Sequence, residues 1–213
     1  MNKGVLYYTF LNRIKDRPFL LFYIVGVVLY FIFLYFSVPF NKNSIDFFVK
    51  GPITLFLIYF SLISGLNGLG KDRDRGYLEI LLTKSVKIEE LLLSYYITYL
   101  FFSMLFLAVI YYPTIIFFGS GLNLTFNILI ISPILYILLY VSYTIFFSVI
   151  TKENMYIVAI IILNIFCALL PQINIKFKII AENLFPEGNL KKLIVVLVLL
   201  VLSFIFVRRQ KKV

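Results

Sequence analysis

The sequence predicts an all-α integral membrane protein with six transmembrane helices, and three observations predict it. Hydrophobic residues make up 62% of the 213 residues, against roughly 45–50% apolar in a soluble domain. Mean hydropathy is +1.00. Charged residues are only 14%, and they cluster, so that residues 51–70 and 91–151 contain none. The expected architecture is one transmembrane domain over residues 1–213. It adds an N-terminal amphipathic interfacial helix, a short cytoplasmic helix between spans two and three, and a re-entrant or interfacial segment before span six.

In residues 1–17, Leu6, Phe10 and Ile14 recur every fourth position and share one helical face. Arg13 and Lys15 lie off that face with Arg17 just beyond, a pattern suited to the membrane surface. Span one is residues 18–40. Pro18 opens it, where a missing N–H is no loss, and about 20 residues cross the hydrocarbon core. No small-residue cleavage site follows, so the span is expected to be retained. Span two is residues 52–69, with Ser61, Ser64, Gly65 and Gly68 placed for close helix approach.

Residues 91–151 are too long for one span, and Gly119, Ser120, Gly121, Leu122 and Asn123 form a turn signal. This gives span three at 92–118 and span four at 124–150, with Pro113 and Pro133 expected to kink them. A tight turn with Lys152 and Glu153 leads to span five at 155–170. In residues 171–192, Ile173, Ile175, Phe177, Ile179 and Ile180 alternate with Asn174, Lys176 and Lys178, too polar to span and too apolar for a free loop. Span six, 193–207, is short, and Lys191, Lys192, Arg208 and Arg209 are expected to snorkel and extend it.

Charge sets the orientation. The net charge is +10, which in a soluble protein would suggest nucleic acid; in this chain the excess Lys and Arg mark cytoplasmic loops and no nucleic-acid partner is expected. With the N-terminus inside, inner segments hold fourteen Lys and Arg and outer ones six. Both termini and residues 71–90 are thereby placed in the cytoplasm.

Much chemistry is excluded. There is no His, which removes the commonest metal ligand and general base. Cys167 is the single cysteine, so no intrachain disulfide is possible, and it reads as a small buried hydrophobe. Trp is absent, leaving Tyr to supply any interfacial belt. The span interiors carry no charge, unlike those of proton pumps and ion-coupled carriers. No GxxxxGK[ST] phosphate loop occurs. No metal, cofactor or catalytic residue is expected on this chain, which is not read as an enzyme, so energy for any work must come from a partner.

The exception to this oily background is residues 71–90, KDRDRGYLEILLTKSVKIEE, with ten charges in twenty residues. Each ion in hydrocarbon would cost about 2.5–3.5 kcal/mol or more, so the island belongs in water or against protein. Residues 71–75 are expected among headgroups and solvent. Gly76 permits a sharp turn. Tyr77, Leu78, Ile80, Leu81 and Leu82 then make an apolar patch, with Leu78, Leu81 and Leu82 on one side of a short helix and Glu79 elsewhere. Glu89 and Glu90 suit the N-terminus of the next helix. An apolar knob on a charged loop suits docking into a partner's groove, although a helix lying on the lipid surface would show the same pattern.

KDRDRGYLEILLTKSVKIEELLLSYY resembles the cytoplasmic loop of type-two ABC exporter permeases. In that family an acidic/basic run, a Gly, an aliphatic-Glu pair, a Leu-Leu and a Pro-Val precede span three. Asp72 to Asp74, Gly76, Leu78-Glu79, Leu81-Leu82, Val86 and Glu90 match, and Ser85 stands in place of the usual Pro. The motif covers about twenty residues; the rest of the likeness is architectural. The resemblance implies that the short helix is a coupling helix fitting a groove on a separate ABC ATPase subunit, which carries the ATP and Mg. It implies Glu79 as the polar contact, Gly76, Tyr77, Leu78, Leu81 and Leu82 around it, and Lys152 with Glu153 as a weaker second contact. It also implies a second permease, identical or paralogous, in a prokaryotic plasma membrane.

Ser132, Tyr136, Tyr140 and Tyr143 share one face of span four, and Tyr95 and Tyr99 are similarly placed on span three. A mid-membrane Tyr needs a hydrogen-bond partner. These residues read either as a weakly polar substrate wall or as helix packing with hydroxyls bonded across the interface. The expected function is the permease of an exporter of a peptide, lipid or hydrophobic small molecule. The alternative is a non-transporting anchor or assembly subunit that docks an ATPase.

Overall fold

The computed structural model describes residues 3–15, 17–37, 69, 72, 76, 86–118, 130–151, 155, 158, 162, 179, 182–184, 186 and 188–210. Among them there is no strand, and the regular elements are five helices. These are α1 (Lys3–Ile14), α2 (Arg17–Ser37), α3 (Ile88–Phe118), α4 (Ser132–Ile150) and α5 (Asn189–Gln210). Among the described residues, three stretches are long and apolar enough to cross a membrane: Ile88–Leu105, Pro133–Ile150 and Asn189–Arg209. The protein is thus all-helical in its described part and membrane-associated. All of span two but Leu69 and most of span five lie outside the described residues, as do most of 71–85 and 171–187.

Helix α4 is the centre of the bundle. Leu135, Ile137, Leu139, Tyr140, Val141, Tyr143, Ile145 and Val149 are all buried, which leaves it almost no lipid-facing side. Its regular part begins where Pro133 stands in the first turn. Residues 130–131 just before it form a π turn, and Ile131 is still right-handed at φ −68 and ψ −50. A proline cannot donate into the ladder, which suits a widened turn just before it. The other proline expected to kink a helix behaves differently: α3 continues through Pro113 to Phe118. At the far end of α4, Thr151 turns extended, and both its N–H (2.9 Å) and its hydroxyl (2.7 Å) donate to the Phe147 carbonyl. The chain therefore leaves the helix at the expected turn.

Helix α5 packs most extensively on α4. Lys192, Val196, Leu199, Ser203 and Val207 recur at helical spacing and are buried, while Leu190, Ile194, Leu197, Val201 and Ile205 form an exposed apolar stripe opposite. Lys192 meets Tyr136, and the Phe206 ring lies 6.2 Å from that of Phe146. Both sequences run the same way, so α4 and α5 are parallel. Helix α5 begins at Asn189, a turn before the expected span. The segment expected to run to residue 192 therefore ends sooner, and the Lys192 N–H donates to the Gly188 carbonyl at 3.0 Å.

Helix α3 runs antiparallel to both. The Tyr96 hydroxyl lies 3.3 Å from Ser142 Oγ on α4, and Glu89 at the start of α3 pairs with Arg208 at the end of α5 at 2.8 Å. Leu93, Phe101, Leu105 and Val109 form its exposed stripe. Helix α1 packs against α3 rather than resting on lipid alone. Its buried face is Val5 and Thr9, rotated from the expected Leu6–Phe10–Ile14 face, and Ile14 is exposed. The reason is polar: the Thr9 and Thr98 hydroxyls lie 3.0 Å apart, and Phe10 closes the contact at 5.0 Å from the Phe101 ring and 5.4 Å from that of Phe102.

Candidate functional site at the root of the charged island

Several buried polar side chains gather where α3 begins. Ser94 and Thr98 lie one turn apart on α3 and are fully buried. Their hydroxyls donate to the Glu90 and Ser94 carbonyls at 2.7 and 2.8 Å. Tyr95, Tyr96 and Tyr99 are buried beside them.

The base of the island comes back onto this surface. Leu69 and Asp72 are in helical conformation and buried, Asp72 at 4% exposure. The Tyr95 hydroxyl donates to Asp72 Oδ2, and the Leu69 N–H donates to the Tyr99 hydroxyl at 3.1 Å. This corrects the expectation that residues 71–75 sit among headgroups and solvent, at least for Asp72. A carboxylate taken from water costs several kcal/mol, of order, unless it is hydrogen-bonded, and the Tyr95 phenol supplies one such bond.

Gly76 follows with φ +74, and among the described residues nothing lies within 4 Å of a Cβ built on it. Its backbone is the left-handed turn that a glycine adopts without penalty. The island re-enters through buried Val86, and α3 starts at Ile88 with Glu89 and Glu90 in its first turn, where they were expected, one turn ahead of the 92–118 span. Two carboxylates there favour the positive end of the helix dipole. Tyr77, Leu78, Glu79, Leu81, Leu82, Lys152 and Glu153 lie outside the described residues.

No family model, curated protein or solved structure matches this chain.

The tyrosines of the expected substrate wall divide between two places. Tyr95 and Tyr99, with rings 6.0 Å apart, hold the island's root, and Tyr140 is buried in the same apolar cluster as they are. Tyr136, on the same face of α4, packs partly against that cluster, and Tyr143 lies in a second cluster with Leu139, Val196 and Leu199. The Lys192 ammonium stands 3.6 Å from the Tyr136 ring centroid, and the Tyr143 hydroxyl donates to the Leu184 carbonyl at 2.7 Å. The Ser132 side chain lies outside the described residues. Lys192 is 1% exposed, against the expectation that it snorkels. Its ammonium lies over the aromatic face of α4 instead, and a desolvated cation over an aromatic ring gains about 2 kcal/mol.

Asp72, Lys192, Tyr96, Thr9 and Thr98 went unmarked as site or packing residues because each depends on a partner distant in sequence. Among the described residues no three His, Cys, Asp or Glu side chains gather as a metal would require.

Proposed function

We propose that the chain is the membrane permease subunit of an ATP-driven exporter of the type-two ABC class. It acts with a separate ATPase and a second permease, identical or paralogous, in the plasma membrane of a prokaryote. It has six spans, with both termini and the charged island in the cytoplasm. Its cargo is a peptide, a lipid or a hydrophobic small molecule. Closure of the ATPases on ATP draws the docking loops together and rocks the spans between inward- and outward-open states.

The observation that carries this reading is the form of the island. Its root lies on α3 through Leu69 and Asp72, Gly76 turns left-handed, and Val86 leads back into α3. Such an excursion begins and ends on one transmembrane helix, and residues 77–82 fall between its two attachments in sequence. The motif resemblance supports the same reading. So do parallel α4 and α5, since the chain between two parallel spans needs a return crossing.

The test is the purified protein in nanodiscs, assayed for an ATPase that remains bound and hydrolyses ATP. Leu81→Asp with Leu82→Asp is expected to weaken ATPase retention about tenfold or more per leucine, with the thermal midpoint of the permease unchanged. Full retention in the double variant, or no bound ATPase with the parent protein, overturns the proposal.

A further inference from the structure

We infer that Tyr95 and Tyr99 are positioning residues that clamp the root of the charged island to α3, so that a pull on the island moves α3 instead of bending the loop. The clamp has two points one helical turn apart. Tyr99 holds the Leu69 N–H at 3.1 Å and Tyr95 holds the Asp72 carboxylate. The order is reversed along the two segments, Leu69 with Tyr99 and Asp72 with Tyr95, so the root lies antiparallel to α3. A single contact would let the root swivel; two contacts fix its direction as well as its position. Both phenols are 1% exposed, so water does not compete for either bond.

The position of the clamp gives it its purpose. Gly76 comes one turn after Asp72, with φ +74, so the change of direction follows directly behind the fixed point. On the return side, buried Val86 and Leu91 fasten the loop to the same helix. Force applied between those attachments reaches α3 at both ends of the loop. The transmission half of this inference rests on the proposed docking of an ATPase; the clamp itself does not.

Two readouts separate these halves. The first is the trypsin cleavage rate at Lys71, Arg73 and Arg75 in nanodisc-embedded protein. Tyr95→Phe removes one hydroxyl with little change of shape and is expected to raise cleavage about tenfold, since a hydrogen bond to a charged group is lost. Asp72→Ala should do the same, and the double variant should add little to either. Asp72→Asn, which keeps an acceptor for the phenol, should restore most of the protection. The second readout uses an environment-sensitive fluorophore on exposed α3 position Leu105→Cys, in a Cys167→Ser background, with the ATPase bound. Adding ATP should change its signal in the parent and much less in Tyr95→Phe, although the amount of ATPase retained is equal.

Unchanged cleavage in Tyr95→Phe, or strictly additive effects with Asp72→Ala, overturns the clamp. Raised cleavage with an undiminished ATP response overturns transmission and leaves a structural contact only. If the parent retains no ATPase, the proposed function falls and transmission with it, while the trypsin series still decides the clamp.

Discussion

Lys192 is a cation set inside a predominantly apolar helix pair, and its neighbours decide what that costs. Its ammonium lies 3.6 Å over the Tyr136 ring, so charge and quadrupole meet where the local dielectric is low. Tyr136→Leu is expected to destabilise the protein by about 1–2 kcal/mol, read as a lowered unfolding midpoint in detergent. Lys192→Met, similar in length and uncharged, should match the parent to within about 1 kcal/mol or exceed it, because a buried ion replaced by an apolar isostere is often neutral or better. At this scale the sequence was least informative. A lysine flanking an apolar run reads as a snorkelling residue only while the helix is considered alone. Asp72 fails in the same way: within KDRDR it looks like one solvated charge among five, and only Tyr95, far along the chain, marks it as different. Gly76 was legible because its signal is local, as turn chemistry depends on one residue's own backbone.

Whole helices were easier to read than their contacts. Helices α1 and α2 and the ends of α3 and α4 at Phe118 and Ile150 fall close to the expected boundaries, since a long apolar run between polar breaks leaves little choice. Starts follow the flanking charges: α3 opens on Glu89 and Glu90, as expected, and α5 carries Lys191 and Lys192 in its first turn, because charged residues extend a helix past its hydrocarbon portion. The packed face of α1 was misjudged because apolar periodicity was the guide. In lipid, tails compete equally for apolar faces, and polar bonds and close packing decide which face turns inward. The Thr9–Thr98 contact tests this directly. Thr9→Val and Thr98→Val should each cost about 0.6 kcal/mol, with an upper bound near about 1.7 kcal/mol. The double variant should cost no more than the larger single, as read by thermal unfolding.

At the scale of the molecule, composition and charge clustering were enough for an all-helical membrane protein. They did not give the order in which helices meet. That order is set by pairs such as Glu89 with Arg208 and Tyr96 with Ser142, whose partners are far apart in sequence. The Glu89–Arg208 pair joins ends of helices on one side of the bundle, although with Arg208 at 68% exposure it adds little stability. Parallel α4 and α5 place Thr151 and Leu190 at opposite ends of the helix pair. Cysteines introduced singly at these two positions, with Cys167→Ser, should react with a membrane-impermeant maleimide from opposite faces of sealed vesicles; labelling from one face would contradict the parallel arrangement. The hydroxyls of α3, α4 and α5 have a further consequence. Ser94, Thr98, Ser142, Thr144, Ser148 and Ser203 each donate to a carbonyl three or four residues back in their own helix. A serine or threonine satisfied within its own helix needs no neighbouring helix when it leaves the insertion machinery. The Tyr95, Tyr96, Tyr99 and Tyr143 phenols, which bond to other segments, are the groups whose contacts wait for a partner.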